Sequence, residues 1–350
     1  MSTMAELTQA LGAVAGVEDG AAVTLSFGDD TAEARAVREG AGLSDLSHRG
    51  LLRLAGADHR RFLQAMATSD VNAATPGHGV YGALLNDKGR VVSDFTCFAD
   101  EDALWLDVEA QAREKLPAVF DRYIIMDDVR VDDMTPLRTL LAVHGPSAAR
   151  VVGTVLATEI VLENLAHRRI DAGRLVRHDR AGEPGYELWL DDAARAPRLF
   201  GGLRDAGARP VGSQAMERLR IEAGVPRAFH DADETTILLE AGMEHVLSRE
   251  KGCYLGQEVI VRAQDRGGIR KQLRGLAIAG DANAVLPGRG DAVKLAEKDV
   301  GRVTSSAISP MLGRPVALAI VTKDAWEHGT QVVVAGRPAK VVALPFWPAS

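Results

Sequence analysis

Residues 251–258 read Lys-Gly-Cys-Tyr-Leu-Gly-Gln-Glu and form the most unusual stretch of this 350-residue chain. Two glycines allow tight backbone geometry around Cys253, and a helix is predicted to begin at Gln257. A cysteine near a helix N-terminus and close to Lys251 should have a stabilised thiolate. Two interpretations are open at this point: a structural cysteine buried in a turn, or a reactive thiol in a polar site.

The segment that follows this stretch is basic, with Asp265 as its acidic residue. On a chain with a formal net charge of −7, these residues predict a local positive patch. The patch is either a solvated connector or a surface that holds the polyanionic tail of a ligand. Its members are Arg262, Arg266, Arg270, Lys271 and Arg274.

Beyond residue 270 the pattern changes to short apolar runs that are separated by turns containing Gly or Pro. Such a succession of short strands with little helical periodicity is typical of a small β-barrel or sandwich. The predicted strands are 273–278, 292–295, 301–304, 316–321, 331–334 and 339–342.

Upstream of about residue 245, helical and strand-like patterns alternate, which predicts an α+β fold with antiparallel hairpins. Helices are predicted at 4–15, at 31–39 with Asp30 as the N-cap, at 58–66 and 110–120, after Pro146 through Val155, and at 193–206 and 213–223. Strands are predicted at 51–54, 81–85, 91–98, 103–108, 129–131, 137–143, 175–177 and 186–190.

Glu187 lies in the middle of a predicted strand. Alternation places Glu187 and Trp189 on one face of that strand, with Tyr186 and Leu188 on the other. A carboxylate beside an indole is either an exposed rim residue or a paired group that reads a ligand, because buried carboxylates are rare without a partner. Arg220 is a candidate partner, and a structural salt bridge is the competing interpretation.

Asp94 lies on the predicted strand 91–98 between apolar neighbours. An acid on a largely apolar strand is expected to have a raised pKa when it is buried, which would suit it to proton transfer. The competing interpretation is an aspartate that faces outward into solvent.

Composition excludes several classes of protein. Lys+Arg is 41 against 48 for Asp+Glu, so a strongly basic nucleic-acid binder is not expected. The two cysteines, Cys97 and Cys253, form no disulfide framework and no zinc site, and histidines and cysteines show no metal-ligand spacing. No apolar run is long enough to span a membrane, and residues 1–9 lack the pattern of a signal peptide. We therefore expect a cytoplasmic protein without a resident metal.

The stretch 251–258 matches the K-G-C-Y-x-G-Q-E motif of the folate-binding YgfZ family, which belongs to the superfamily of the glycine-cleavage T-protein, an aminomethyltransferase. Further segments resemble the same superfamily: 36–48 (A-V-R…D-x-S-H), 81–94 (Y…L-N…G…D), 182–187 (G-E-x-G-Y-E), 219–224 (L-R-x-E-A-G), 304–313 and 345–346. The motif positions are Lys251, Gly252, Cys253, Tyr254, Gly256, Gln257 and Glu258.

This resemblance implies a three-domain cloverleaf around a central folate site. Domain one would comprise residues 1–49 and 137–269, domain two would be an inserted α+β domain over residues 50–136, and residues 270–350 would form the C-terminal barrel. By the same resemblance, Glu187 and Arg220 would hold the pterin of tetrahydrofolate or a one-carbon derivative.

The resemblance also suggests roles for other residues. Tyr81 and Tyr186 are further candidates for the folate pocket. Asp94 would lie near the reactive nitrogens of the folate, with Ser93 at the first position of the T-protein's Asp-Asp pair. A further assignment rests on charge alone and not on the resemblance: some of Arg262, Arg266, Arg270 and Lys271 are expected to meet the glutamate tail of the folate or a partner protein.

Two departures from the T-protein pattern bear on activity: the cysteine motif is added, and the aspartate pair is reduced to one. YgfZ-type proteins are associated with folate-dependent support of iron–sulfur cluster assembly or repair. The leading interpretation is therefore a tetrahydrofolate-binding accessory protein that acts on iron–sulfur client or assembly proteins through Cys253. A single cysteine cannot hold a cluster alone, so its role would be transient or redox. The alternative is a folate-dependent one-carbon transferase or demethylase that uses Asp94, and a third possibility is a binding module that has lost folate.

Overall fold

The chain divides into two compact units, and the computed structural model describes residues 3–265 and 268–346. The first unit comprises residues 1–82 and 95–216, and the second comprises residues 83–94 and 217–350. Within the described ranges, no helix has the length and apolar character that a bilayer crossing requires. The three-domain division implied by the resemblance stays a prediction.

The helices in these ranges are α1 (Met4–Ala10), α2 (Asp30–Glu39), α3 (His59–Met66), α4 (Ala112–Asp121), α5 (Ala148–Leu156), α6 (Ala196–Asp205), α7 (Ser213–Ala223) and α8 (Gln257–Asp265). Short 3-10 turns occur at Val71–Ala73, Thr135–Leu137, Ala193–Arg195, Leu238–Ala241 and Glu244–Val246. The strands are β1 (Val14–Glu18), β2 (Ala21–Ser26), β3 (Gly42–Asp45), β4 (Gly50–Ala55), β5 (Val80–Leu85), β6 (Val91–Ala99), β7 (Ala103–Val108), β8 (Arg130–Asp133), β9 (Thr139–His144), β10 (His167–Ile170), β11 (Gly173–Arg177), β12 (Gly185–Leu190), β13 (Arg209–Pro210), β14 (Lys271–Ile278), β15 (Ala292–Leu295), β16 (Lys298–Ile308), β17 (Pro315–Thr322), β18 (Gln331–Val334) and β19 (Arg337–Val342).

Two larger sheets account for most strands upstream of α7. The six-stranded sheet has the order β10-β11-β12-β9-β3-β13, and the five-stranded sheet has the order β5-β6-β7-β4-β8. Residues 83–94, which contain the turn between β5 and β6, group with the second unit. The strands β1 and β2 form a separate antiparallel hairpin. Strands and helices are thus mixed, as the α+β prediction requires.

Strand β12 is buried on both faces, which sets the position of Glu187. Tyr186 and Leu188 belong to a core that also contains Phe200 of α6. The opposite face carries Trp189, whose ring meets Phe98 of the five-stranded sheet edge-on at a centroid distance of 5.0 Å. Each such buried large apolar side chain stabilises the fold by about 1.5–3 kcal/mol. A polar side chain beside Trp189 therefore lies between two sheets of the first unit.

The predicted helix over 4–15 is wrong in its second half. Helix α1 ends at Ala10, and Gly12 follows at a φ of 83°. Asp19 and Gly20 both have positive φ angles, of 53° and 82°, and they close a two-residue hairpin between β1 and β2. Asp-Gly is a strong hairpin signal because its backbone twist matches that of the flanking strands. The apolar spacing predicted a longer helix, but residues 14–18 instead pair with β2 across this turn.

Other differences from the predicted elements are small. The N-cap of α2 is Asp29, whose carboxylate accepts hydrogen bonds from the backbone N–H groups of Thr31 and Ala32. The predicted cap, Asp30, is the first helical residue. Three strands of two to four residues, β3, β10 and β13, were not predicted.

The second unit contains a closed six-stranded barrel with the order β14-β17-β16-β15-β18-β19. All six predicted strands are present, which confirms the C-terminal barrel. Ile221 of α7 packs against apolar residues of the barrel, including Leu273 and Leu318. Glu222 of the same helix is fully buried and accepts hydrogen bonds from Ser309 and from the backbone N–H of Met311.

Candidate functional site

Glu187 is fully buried on β12 and has protein partners on both carboxylate oxygens. Its Oε1 accepts a hydrogen bond from Nε of Arg180 at 2.5 Å, and its Oε2 accepts one from the indole N–H of Trp189 at 3.0 Å. Glu187 and Trp189 therefore share one face of the strand, as alternation predicts. Of the two open interpretations, the structure favours the paired group over the exposed rim residue.

A chain of alternating charges runs from Glu187 across the first unit. Arg180 also contacts Asp107 of β7 through Nη2. Asp107 in turn accepts hydrogen bonds from Arg49 at 2.9 and 3.2 Å, and Arg49 contacts Glu109. These five side chains are all at least four-fifths buried, so each charge is balanced by a neighbour rather than by bulk water.

Two histidines lie close to this chain. His178 Nδ1 is 3.5 Å from Oε1 of Glu187, and its Nε2 is 3.5 Å from the hydroxyl of Thr96. The ring of His144 lies against Gly185, where a Cβ would come within 2.6 Å of Nδ1 of His144. A side chain at residue 185 would thus displace this ring.

Burial and charge act in opposite directions on the protonation of these groups. Burial disfavours the ionised form of Glu187, but Arg180 and His178 outweigh it and lower the pKa of the carboxyl to about 2. Burial, with a contribution from Arg180, lowers the pKa of His178 to about 3, and burial lowers that of His144 to about 4. At neutral pH the site therefore holds an ionised carboxylate beside two neutral imidazoles.

The two tyrosines of the predicted pocket have different surroundings. Tyr186 belongs to the core on the face of β12 opposite Glu187, and Arg177 lies over its ring at 5.7 Å. Strand alternation thus separates Tyr186 from Glu187. Tyr81 is half-buried near the start of β5.

Arg220 of α7 is buried, and all five of its N–H donors are used within the second unit. Nε and Nη2 form a fork on the carboxylate of Glu217 at 2.9 and 2.5 Å. Nη1 binds the backbone oxygen of Val225 and the carboxylate of Asp231, and Nη2 also reaches the hydroxyl of Ser305. The salt-bridge interpretation of Arg220 thus describes its contacts, with Glu217 and Asp231 as the partners.

Asp94 is half-buried on β6. The preceding Ser93 is fully buried and donates its hydroxyl to the carbonyl oxygen of Asp94 at 2.8 Å. Position 93 thus carries a neutral side chain that binds the backbone, and Asp94 supplies the carboxylate of this segment.

Residues 251–256 form a loop, called the motif loop below, that leads into α8 at Gln257, and its cysteine is exposed. Gly256, at a φ of 80°, lies against the turn between β5 and β6, because a Cβ there would come within 2.4 Å of the carbonyl oxygen of Asn86. Gly89 of that turn packs on Val259, where a Cβ would come within 2.9 Å of the Cβ of Val259. The interpretation of Cys253 as a buried structural cysteine is therefore wrong. Cys97 is the buried one, and burial raises the pKa of its thiol to about 12.

The motif loop also has internal contacts. The ammonium group of Lys251 lies 5.3 Å from the ring centroid of the buried Tyr254, within the range of a cation–π interaction. The side chain of Gln257 accepts a hydrogen bond from the backbone N–H of Tyr254 at 3.4 Å. Gly252 has open space where a side chain would point.

The predicted basic patch is partly neutralised. Arg262 forms an ion pair with Glu258 one turn earlier on α8, and Arg274 donates to the backbone oxygen of Trp326. Arg270 and Lys271 are exposed. Arg266 lies outside the described residues. Among the described residues, no group of three or more histidine, cysteine or acidic side chains has a geometry that could hold a metal ion.

Sequence reasoning missed Arg180 and Asp107, although both contribute to the charge chain at Glu187. Asp107 had a detectable signal, because it is the acidic residue of the apolar run Ala-Leu-Trp-Leu-Asp-Val at 103–108. Arg180 had none, since it lies in a polar turn and its partner Asp107 is 73 residues away in sequence.

Comparisons with known proteins cover almost the whole chain. The model of the GCVT N-terminal domain matches residues 4–251, and that of the glycine cleavage T-protein C-terminal barrel domain matches residues 271–348. An aminomethyltransferase of Rubrobacter xylanophilus is 35% identical over 326 residues, which cover 90% of this chain and 86% of the relative. One from Cutibacterium acnes is 32% identical over 348 residues, with 92% and 91% covered.

Structural similarity agrees with these matches. The crystal structure of glycine cleavage system aminomethyltransferase T from Bartonella henselae superposes with a TM-score of 0.89 at 24% identity. The superposition covers 98% of this chain and 97% of that one, so the two share a fold. From the two domain matches and the identities above 30%, the chain belongs to the glycine-cleavage T-protein family.

Proposed function

We propose that this protein binds tetrahydrofolate and transfers a one-carbon unit, as an aminomethyltransferase-like enzyme. The observation that carries the proposal is the buried, ionised carboxylate of Glu187, at the position that resembles the pterin-binding glutamate of the T-protein. The name aminomethyltransferase, borne by relatives over most of the chain, supports the class of reaction.

The residues around Glu187 fit a ligand edge that carries N–H donors. An ionised carboxylate accepts such bonds strongly, and Glu187 is held in place by Arg180 and Trp189. Tetrahydrofolate would supply the nitrogen atoms that carry the one-carbon unit. Arg220 fits less directly, because its N–H donors are already bonded. We assign it the task of fixing Glu217 and Asp231 rather than donating to the pterin.

Asp94 is assigned to proton transfer in this proposal. It supplies the carboxylate of its segment, since Ser93 is neutral and bonded to the backbone. As a half-buried acid, it is accessible to a ligand while being partly shielded from water. Asp94 would therefore hold or release a proton during transfer.

A calorimetric titration with tetrahydrofolate tests the proposal. Glu187→Gln removes a charged acceptor, so we expect binding to weaken about 10- to 100-fold. Glu183→Gln is the matched control, because Glu183 belongs to the same G-E-P-G-Y-E segment but pairs with Arg38. It should bind within about threefold of the wild type, the spread that context alone gives such contacts. A wild-type protein that does not bind tetrahydrofolate would contradict the proposal.

A second function is favoured by the exposed Cys253. A thiol presented on a loop that is fixed against a neighbouring turn can reach a partner protein, as the YgfZ-type role in iron–sulfur cluster assembly or repair would require. In this proposal tetrahydrofolate binding serves the accessory role, and the partners are iron–sulfur client or assembly proteins. Iron–sulfur enzyme activity in cells that carry Cys253→Ser distinguishes the two functions.

A further inference from the structure

The charge chain at Glu187 contains one more carboxylate than guanidinium groups. Glu109, Asp107 and Glu187 alternate with Arg49 and Arg180. Glu187 is one of the two terminal members, opposite Glu109, and the most buried one, and Arg180 is its guanidinium partner. At neutral pH, where His178 is uncharged, Arg180 is thus the cationic partner that favours the ionised form of Glu187.

Arg180 bridges two strands that are distant in sequence. It lies in the connection between β11 and β12. Its Nε–H donates a hydrogen bond to Oε1 of Glu187 at 2.5 Å, and its Nη2 contacts the carboxylate of Asp107 on β7. The planar guanidinium fork can bond two carboxylates in fixed directions, which a lysine ammonium does less well. Asp107 is held from its other side by Arg49, so Arg180 is anchored at both ends.

We propose that Arg180 is a positioning residue for ligand recognition, because its bridge from Asp107 to Glu187 keeps the Glu187 carboxylate ionised and correctly oriented for N–H donors of the ligand. This inference rests on the proposed function of Glu187. Arg180 uses one lone pair of Oε1 and Trp189 uses one of Oε2. Within the part of the chain that the structure describes, each oxygen therefore keeps one lone pair, enough for a ligand edge with two adjacent N–H groups.

The other groups that face Glu187 cannot replace Arg180 at neutral pH. His178 directly follows β11, and its Nδ1 lies 3.5 Å from Oε1 of Glu187; burial is the main reason that this ring stays neutral. Trp189 is an uncharged donor. His144 of β9 is also neutral, and Asp107 of β7 would oppose a negative Glu187 if Arg180 were absent. Without the guanidinium, burial would favour the protonated carboxyl, which accepts fewer hydrogen bonds.

The test is the affinity for tetrahydrofolate between about pH 5.5 and 8.5, where histidine and a carboxyl of raised pKa titrate. Each variant is compared with the wild type at the same pH, so that titration of the ligand cancels. We expect the relative affinity of Arg180→Met to fall as the pH is lowered, with a limiting slope of about tenfold per pH unit. Arg174→Met is the control, since the Arg174 side chain is also largely buried, 4% exposed against 16% for Arg180, but pairs with Asp100. Its relative affinity should not change with pH.

Arg180→Lys keeps the positive charge but not the fork. We expect it to bind more weakly than the wild type at every pH, by about five- to tenfold, without a new pH dependence. If Arg180→Met does not fold, this variant decides, because wild-type affinity in Arg180→Lys would overturn the bridging role. A pH profile of Arg180→Met parallel to that of the wild type would also overturn it, for example because His178 takes up the proton instead. Absence of binding in the wild type would instead contradict the proposed function.

Discussion

His144 is fully buried at the end of β9, and neither of its ring nitrogens has a hydrogen-bond partner among the residues that the structure describes. Burial lowers the pKa of this ring to about 4, whereas an unfolded chain would protonate it near 6.5. The unfolded state therefore takes up the proton first as the pH falls. The contribution of His144 to the free energy of unfolding is therefore constant above about pH 6.5 and decreases as the pH falls from 6.5 to about 4.

We expect His144→Leu to flatten the pH dependence of stability. In the wild type, this ring lowers the free energy of unfolding by about 1.4 kcal/mol for each unit by which the pH falls, within the window between its unfolded and folded pKa values. Leucine has a similar size and removes two buried nitrogens that lack partners. Urea denaturation at pH 7.5, 6.0 and 5.0 measures the effect. The variant should match or exceed the wild type at pH 7.5 and gain on it at each lower pH. A constant difference at all three pH values would contradict this account.

At the scale of the element, the motif loop contains two glycines that look equivalent in the sequence. Only one of them has a conformation and a contact that a larger residue could not adopt. Gly256 has a φ of 80°, and the carbonyl oxygen of Asn86 lies 2.4 Å from the position of a Cβ. Gly252 has no such contact and no positive φ. Only the first glycine is required for the loop to pack on the turn between β5 and β6.

Gly256→Ala should therefore displace the loop, and Gly252→Ala should not. We expect the former to cost at least about 1–3 kcal/mol from backbone strain, with the clash at Asn86 added, and the latter less than about 0.5 kcal/mol. Thermal unfolding measures the first effect, and the rate at which a soluble thiol reagent labels Cys253 reports on the loop. Equal melting temperatures and equal labelling rates for the two variants would show that the loop does not depend on this contact.

The barrel strands and the Glu187–Trp189 face were predictable because each follows from a local pattern: apolar runs between turns, and alternation along one strand. The β1–β2 hairpin was missed because the helical spacing of residues 4–15 extended past Gly12, although Asp19-Gly20 carried the correct signal. The partner of Glu187 was not predictable, since Arg180 bridges β12 to Asp107 of a different sheet. Which sheets face each other is set by packing over the whole unit.

At the scale of the whole molecule, each unit carries part of the proposed chemistry. The first unit holds Glu187, the proposed recognition carboxylate, and the second holds Asp94, the proposed proton-transfer residue, and the exposed thiol of Cys253. The enzymatic and accessory functions make different demands on the second unit. A one-carbon transferase needs the carboxylate, whereas an accessory protein for iron–sulfur enzymes needs the thiol.

These demands give a pair of variants with opposite expected results. If the protein is a one-carbon transferase, Asp94→Asn should abolish folate-dependent turnover of an amine or methyl donor, while Cys253→Ser should leave it unchanged. Asp87→Asn is the matched control, because it removes an exposed carboxylate from the nearby turn.

The same variants, expressed in cells that lack the endogenous protein, report on the activity of iron–sulfur enzymes. Loss of that activity with Cys253→Ser alone would move the assignment to the accessory role. Full turnover by Asp94→Asn would remove Asp94 from the transfer mechanism, because a neutral amide cannot take up a proton in its place.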